Sequence, residues 1–446
     1  MSTLNVDKVD PSTGTDLEIG TSGDTVTVPT GAGLTVVDEV KTNKVSPATG
    51  TAFALGDSGD TFTVPSGATI VNSGTATGFG ITQTSFLPTA NPLIINGDMA
   101  VSQTATSVTG INSGATVRTC DRWKFGVYNI GTWTLIQEAL TSGAAFEAGF
   151  QTAFRADCTS ATASPGAGDD CQFEIDFEGQ DLQCFKKGSS GAEAYTLAFW
   201  VKSNKTGAAS VNLLDADNTR GSGGSYTISV ADTWEHKIIN YNADTTGAFD
   251  NDNAKSLRII WWMDSGSNYT SGTSSDGVWE SLTAANRNPS NLALASSTSN
   301  DWAITGVQLE VGTYTSADLP PFRFESYGDN LQRCFRYYQR HPLLEDTTTD
   351  GFIGQGWCTS TAYAAADIQL YVPMRVVPSS GVLGNLKWRH EGTSTADSSV
   401  LLATNQSSKN IAGLYDNLGS GMTVGNGVSL MRDNDVDAGM TFNSEL

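Results

Sequence analysis

The chain has 446 residues, of which 39% are hydrophobic and 16% charged, and its formal net charge is −22. This length predicts two or three domains, and the hydrophobic content predicts packed cores rather than disorder. The acidic excess repels phosphate backbones, so we expect no nucleic-acid partner. The apolar runs fall short of the roughly 20 residues of a membrane span, and the start lacks a signal-peptide pattern. We therefore expect no membrane insertion and synthesis in a cytoplasm, with the six cysteines as reduced thiols.

An internal repeat marks the N-terminal segment, which we assign to residues 1–75. Lys8–Gly31 and Lys44–Gly67 share 15 identities in 24 positions at a shift of 36 residues. A unit of this size is too small to bury enough surface alone, which favours self-association of several copies of the chain. A flexible Gly/Ser/Thr linker is the alternative, although the apolar alternation argues against it. The alternating residues, predicted to lie in the interface between copies, are Leu17, Ile19, Val26, Val28, Phe53, Leu55, Phe62 and Val64.

A β-sandwich of jelly-roll type is predicted for residues 91–322, after a linker at 76–90. Strand-length runs such as "AYTLAFWVKS" and "SLRIIWWMD" alternate with turns rich in Gly, Ser, Asn and Asp. Trp200, Trp261 and Phe199 are expected in the core. Adjacent Trp261 and Trp262 point to opposite faces of a strand, so one of them should lie outside the core, under a loop or at a subunit interface.

One short amphipathic helix is predicted within residues 323–341. Ser326 and Asp329 form a capping-box-like start, and Pro342 ends the pattern. A helix this short must pack on something, either on its own sandwich or on copies of itself. Its apolar stripe consists of Leu331, Cys334, Phe335 and Tyr338, and the opposite side carries Arg333, Arg336 and Arg340.

The remaining residues, 342–446, return to strand patterns and form a predicted C-terminal β domain, so the whole chain is expected to be mainly β. Glycan binding uses exposed aromatic rings next to hydrogen-bonding groups. The candidate receptor-binding residues of this domain are Trp357, Tyr363, Trp388 and Tyr415.

Two acidic patterns are candidates for chemical sites. Glu174, Asp176 and Glu178 share one face of a strand at spacings near those of glycosidase carboxylates, but a solvated face is the plainer interpretation. No nucleophilic triad or zinc spacing is present, so we expect no enzyme. Asp433, Asp435 and Asp437 resemble a calcium loop, but the following Gly and Glu come one position late and no helices flank them. A polar surface loop is favoured there, with calcium as the weaker alternative.

Several segments, taken together, resemble a broad group of bacteriophage tail fibre or receptor-binding proteins. They are "NPLIINGDMAVSQ", "DRWKF", "AYTLAFWVKSNKTG", "VQLEVGTYTSADLPPFRFESYGDNLQRCFRYYQR" and "YVPMRVVPSS". In that group a carbohydrate-binding-module-like sandwich precedes a helix and a C-terminal β domain. The resemblance covers residues 91–380 and departs at residues 322–325, where the group has Pro-Phe-Glu. The N-terminal repeat is similar to the short β repeats of marine-type phage fibres.

The resemblance implies a homotrimer in the virion tail, with the N-terminus on a tail adaptor or nozzle protein and the C-terminus towards a host glycan or lipopolysaccharide. Three copies of the helix would then bring the stripe of Leu331, Cys334, Phe335 and Tyr338 near the axis. A polysaccharide-degrading tailspike and a purely structural head or collar fibre are the alternatives.

Overall fold

The computed structural model describes residues 92–114, 116–343, 349–390, 393–397, 401–402 and 407–446. The chain divides into two compact units, Met1–Phe86 and Leu87–Leu446. The predicted repeats, with all eight of their interface residues from Leu17 to Val64, lie outside the described residues.

The first part of this unit is a sandwich of two antiparallel sheets. Its strands are β1 (Ser107–Ile111), β2 (Thr116–Val117), β3 (Lys124–Tyr128), β4 (Thr132–Ala139), β5 (Thr152–Ser160), β6 (Asp170–Glu178), β7 (Tyr195–Lys202), β8 (Gly207–Asp215), β9 (Arg220–Ile228), β10 (Glu235–Tyr241), β11 (Lys255–Ser265), β12 (Trp279–Ser281) and β13 (Asp301–Val311). One sheet has the order β1-β4-β5-β13-β7-β10 and the other β12-β9-β8-β11-β6-β3-β2. The predicted mainly-β fold with a sandwich is confirmed.

Alternation along β11 builds both the core and the outer surface of its sheet. Leu257, Ile259 and Trp261 point into the core between the sheets. Trp262 points outward, as predicted for one of the pair, yet it is also fully buried. The ring of Tyr269 lies 5.1 Å from it and the guanidinium of Arg287 lies 4.8 Å from it, so the segments that follow β11 and β12 cover this side chain.

Helices are few and short in the described residues. They are α1 (Ala144–Glu147), α2 (Ser267–Thr270) and α3 (Tyr327–Phe335), with 3₁₀ turns at Gly179–Asp181, Gln183–Phe185, Ala284–Asn286 and Leu294–Ser296. The predicted cap of α3 is present, because Ser326 Oγ accepts a hydrogen bond from the Asp329 amide at 3.2 Å. None of the described helices is long and apolar enough to cross a membrane.

The end of α3 corrects the predicted helix boundary. The helix ends at Phe335 rather than at Pro342, and Tyr338–His341 forms strand β14. This strand pairs with Gly439–Asn443 (β23) close to the C-terminal end. The ladder satisfies the backbone groups of β14 through a partner about a hundred residues away, and local helical periodicity cannot reveal such a partner.

The rest of the unit is a second β domain. Its further strands are β15 (Phe352–Cys358), β16 (Tyr363–Gln369), β17 (Ser379–Leu383), β18 (Leu386–His390), β19 (Thr393–Asp397), β20 (Leu401–Leu402), β21 (Ile411–Asn417) and β22 (Gly427–Arg432). A three-stranded sheet, β14-β23-β17, accompanies a seven-stranded sheet, β19-β18-β22-β15-β16-β21-β20. Residues of both sheets, among them Trp388, Leu414 and Phe442, share one core.

The apolar stripe of α3 is covered by its own chain. Cys334 is 0% exposed and packs in a cluster with Ile95, Val101 and Tyr337. Phe335 is buried too, and its ring lies 4.8 Å from that of Tyr371. Cys334 and Phe335 therefore do not form the predicted contact between copies, because the segment at 94–101 supplies the apolar surface that the helix needs. Leu331 and Tyr338 are half-buried in the same region.

Candidate functional site

The outer face of the seven-stranded C-terminal sheet gathers three of the four aromatic residues predicted for receptor binding. On β15, β16 and β21 the inward positions are taken by small or aliphatic residues of the core, such as Cys358, Ala366 and Leu414. Alternation therefore directs Trp357, Tyr363 and Tyr415 to the opposite face. We call this set, with the Ala365 between them, the aromatic platform.

Strand register fixes the geometry of the aromatic platform. Ala365 pairs with Trp357 on one side and with Tyr415 on the other. The two aromatic residues thus stand about 10 Å apart across two strand spacings. Ala365 is only 4% exposed although it faces outward, because the flanking rings rise above it. The result is a shallow floor between two aromatic side chains.

The members of the aromatic platform differ in how firmly they are held. The rings of Tyr363 and Tyr415 are stacked, with centroids 4.9 Å apart and an interplanar angle of 11°. The Asn417 side-chain amide donates to the Tyr363 hydroxyl at 3.2 Å. Trp357 is 49% exposed and forms no ring stack with another described residue. A fixed tyrosine pair is therefore combined with an indole whose face is open to a ligand.

A row of polar residues runs beside the aromatic platform on the same face. Register aligns Arg389 with Ser429, Ser429 with Gln355, and Gln355 with Asp367, across four neighbouring strands. The side chains of Arg389, Gln355 and Asp367 are exposed. Aromatic rings with amide, hydroxyl, carboxylate and guanidinium groups at their edge match what sugar rings offer, which is an apolar face with hydroxyls around it.

Trp388 does not belong to this face, which corrects its predicted role in receptor binding. It is 0% exposed, and its Nε1 donates to Asp416 Oδ2 at 3.0 Å inside the domain. On β18 the polar residues Lys387 and Arg389 occupy the outward positions, so the intervening Trp388 must point inward. That alternation was visible in "LKWRH". In the same way, the position of Gln355 two residues before Trp357 could have indicated one polar member of the row.

The three acids of β6 are buried in ion pairs, which corrects the predicted solvated face. Glu174 pairs with Lys124 at 2.9 Å and with Arg258 at 2.7 Å, and Asp176 pairs with the same two cations at 2.7 and 2.6 Å. Glu178 pairs with Arg336, just after α3, at 2.6 Å. Elements that follow the sandwich in sequence cover this end of β6, and a local pattern does not reveal such a cover.

The ion pairs also set the charge of these acids. Burial would raise the pKa of Glu178, but hydrogen bonds from Arg336 and from the Tyr337 hydroxyl outweigh it and hold the pKa below its usual value. Burial would likewise raise the pKa of Asp176, but the hydrogen bonds and charges of Arg258 and Lys124 outweigh it and hold the pKa below its usual value. A glycosidase acid needs a raised pKa, so the pKa shifts of these two carboxylates run in the opposite direction.

A groove of about 290 Å³ lies on the outer face of the larger sandwich sheet. Tyr128 is 54% exposed at its edge, and Arg258, already paired with Glu174, lies along it. This groove also combines an aromatic ring with hydrogen-bonding groups. No local sequence pattern indicates this groove, because its residues come from three strands and a loop. Its other polar lining residues are Asp170, Gln172 and Glu174.

The acidic loop near the C-terminal end is organised by hydrogen bonds. Asp435 accepts the backbone amides of Asn385 at 3.0 Å and Asp437 at 2.9 Å, and Asp433 pairs with Lys387 at 3.2 Å. Among the residues that the structure describes, no group of three or more His, Cys, Asp or Glu is arranged to hold a metal ion. Calcium at Asp433, Asp435 and Asp437 stays a prediction.

Comparisons with known proteins give no family. No family model and no curated protein matches the chain. Similar solved structures include the enzymatically active domain of tailspike protein 4 of bacteriophage CBA120, at 13% identity over 49% of this chain and 21% of that chain, with a TM-score of 0.24. The chain thus spans about a fifth of that domain.

Two further solved structures are similar to the same degree. A putative sugar binding protein from Bacteroides thetaiotaomicron has 13% identity over 50% of this chain and 100% of that chain, with a TM-score of 0.25. Modules of a xylanase from Clostridium thermocellum, complexed with xylohexaose, have 12% identity over 49% and 30%, with a TM-score of 0.23. Structural similarity at TM-scores this low does not indicate function.

Proposed function

We propose that this chain is a homotrimeric phage tail fibre protein that attaches the virion to a glycan on the bacterial surface. In this proposal the N-terminal repeats bind a tail adaptor or nozzle protein, and the C-terminal domain faces the host. The observation that carries the proposal is the aromatic platform, an exposed indole beside a stacked tyrosine pair with a polar row along its edge. The motif order over residues 91–380 supports the assignment to a phage fibre.

The aromatic platform suits weak binding repeated many times. Burying one sugar face against Trp357 removes a limited apolar area from water, and the exposed polar row must give up bound water to reach the sugar hydroxyls. A single site of this kind binds weakly. Three copies on one fibre raise the overall affinity by roughly 10² to 10⁴, because the later contacts form within an already attached particle.

The test is binding of the full-length chain to an array of bacterial surface polysaccharides. Trp357→Ala should lower affinity for the bound polysaccharide at least tenfold, because the exposed stacking surface is lost. Tyr327→Ala is the matched control, since Tyr327 is also 49% exposed but lies in α3, away from the aromatic platform. Equal binding by Trp357→Ala and the native chain would refute the assigned site. Binding of the native chain to no polysaccharide would favour a purely structural virion component.

We propose no catalytic activity. The acid row of β6 is the feature on which the alternative of a polysaccharide-degrading spike depends, and its members are engaged in ion pairs within the chain. Release of oligosaccharides from a bound polysaccharide would overturn this part of the proposal.

A further inference from the structure

β18 places two cations, Lys387 and Arg389, on the outer face of the seven-stranded sheet, and among the side chains that the structure describes only Lys387 has acidic partners. Lys387 Nζ lies 2.5 Å from Asp350 and 3.2 Å from Asp433. Arg389, two residues later on the same face, is exposed, and its side chain has no ion pair or hydrogen bond with the residues whose side chains the structure describes, a set that leaves out 391–406. Because the side chain is exposed, a ligand can reach its guanidinium from the solvent.

Arg389 is also placed to meet a ligand of the aromatic platform. Its neighbour across the ladder is Ser429, and Ser429 pairs in turn with Gln355, two residues before Trp357. The backbone of Arg389 lies about 12 Å from that of Trp357, because the two residues are two strands apart and offset by two residues along the strand. The long side chain of Arg389 shortens that distance to the size of one or two sugar rings.

The surface between these two side chains is low. Gly427 pairs with Trp357, and a side-chain carbon added to Gly427 would meet nothing closer than 4.0 Å. Ser429 is the next outward residue on the strand and is also small. Gly427 and Ser429 therefore put no bulky side chain between a sugar stacked on Trp357 and Arg389.

The charge of the protein makes this position selective. With a net charge of −22, most of the molecule repels an anion, so an anionic group is accepted only where a local cation outweighs that field. A guanidinium binds a carboxylate or a phosphate through two parallel hydrogen bonds, which no neutral hydroxyl can match.

We propose that the ligand of the aromatic platform is an acidic polysaccharide, with one sugar ring stacked on Trp357 and a carboxylate or phosphate group held by Arg389. This proposal rests on the proposed function and specifies the chemistry of its receptor. Arg389 would bind a carboxylate and a phosphate through the same hydrogen bonds, and paired polysaccharides distinguish the two groups.

The experiment uses the full-length chain and bacterial polysaccharides in pairs. Each uronic-acid polysaccharide is compared with its carboxyl-reduced form, and each phosphate-bearing one with its dephosphorylated form. The native chain should prefer the acidic member of at least one kind of pair by tenfold or more, and higher salt should weaken that preference. The kind of pair that is discriminated identifies the anion. Arg389→Gln should remove the preference while binding to the neutral member, which depends on Trp357, persists.

Lys387→Gln is the matched control, because it removes a cation from the same strand and face that is already paired. It should keep the preference for the acidic member. Equal binding of both members by the native chain, or an unchanged preference in Arg389→Gln, would overturn the inference and leave the proposed function standing. Binding to neither member of any pair would overturn both.

Discussion

At the scale of single residues, two tryptophans of one domain have opposite environments. Trp388→Phe removes the indole donor from the buried Asp416 carboxylate, so we expect the free energy of unfolding to fall by about 2–4 kcal/mol. Trp357→Phe changes a half-exposed ring and should change the free energy of unfolding by no more than about 0.5 kcal/mol. Urea unfolding of both variants measures the difference, and similar losses in the two would contradict the burial assigned here.

Glu178 links acid stability to the segment after α3. Its pKa is lowered in the folded chain by Arg336 and Tyr337, so the folded state holds its carboxylate more strongly than the unfolded state does. The stabilisation is therefore present above the unfolded pKa, near 4.5, and is lost as pH falls through the lower folded value. Glu178→Gln should be less stable than the native chain at pH 7 and should lose less stability between pH 5 and pH 3.

The control for this pH dependence is Glu193→Gln. Glu193 pairs with Lys186 at 2.6 Å, but both side chains are exposed, so this ion pair contributes little to stability. Thermal unfolding followed from pH 3 to pH 7 should separate the two variants. An acid dependence of Glu178→Gln equal to that of the native chain would show that another group is responsible.

At the scale of elements, sequence patterns predicted what is local and missed what is long-range. Alternation predicted the strands, and Ser326 predicted the start of α3, because both depend on residues close in sequence. The end of α3 depends on a strand about a hundred residues away, whereas the inward direction of Trp388 follows from the local alternation of Lys387 and Arg389. The acids of β6 alternate like a solvated face, and only the later Arg336 reveals that Glu178 is covered. Three of four predicted aromatic residues share one face, but their register with Gln355, Asp367 and Arg389 required the structure.

The pairing of β15 with β16 supports the aromatic platform, and it depends on a close backbone approach at Gly356. A side-chain carbon at Gly356 would collide with the backbone carbonyl of Ala365. Gly356→Ala should therefore separate the two strands, lower the free energy of unfolding by about 1–3 kcal/mol and weaken polysaccharide binding. Gly427 on neighbouring β22 has open space, so Gly427→Ala should leave stability nearly unchanged. Urea unfolding tests both, and equal tolerance would disprove the close approach.

At the scale of the whole molecule, trimer formation is predicted from the N-terminal repeats, since the stripe of α3 is already covered by its own chain. The full-length chain should have three times the mass of one chain in light scattering. Val26 and Phe62 are equivalent positions of the two repeat copies, so Val26→Asp combined with Phe62→Asp should dissociate the trimer, because a charge would be placed in an apolar interface. Thr27→Asp combined with Thr63→Asp changes the charge equally on the opposite, polar side of the predicted strands and should preserve the trimer.

Dissociation should also reduce attachment without changing the binding site. The charged double variant keeps the aromatic platform intact, so its affinity for a short oligosaccharide in solution should equal that of the native chain. On a surface coated densely with the same glycan, it should bind at least a hundredfold more weakly, because the three linked contacts are lost. A native chain that scatters as a single copy would refute the trimer. A double variant that keeps full surface binding would refute the claim that avidity drives attachment.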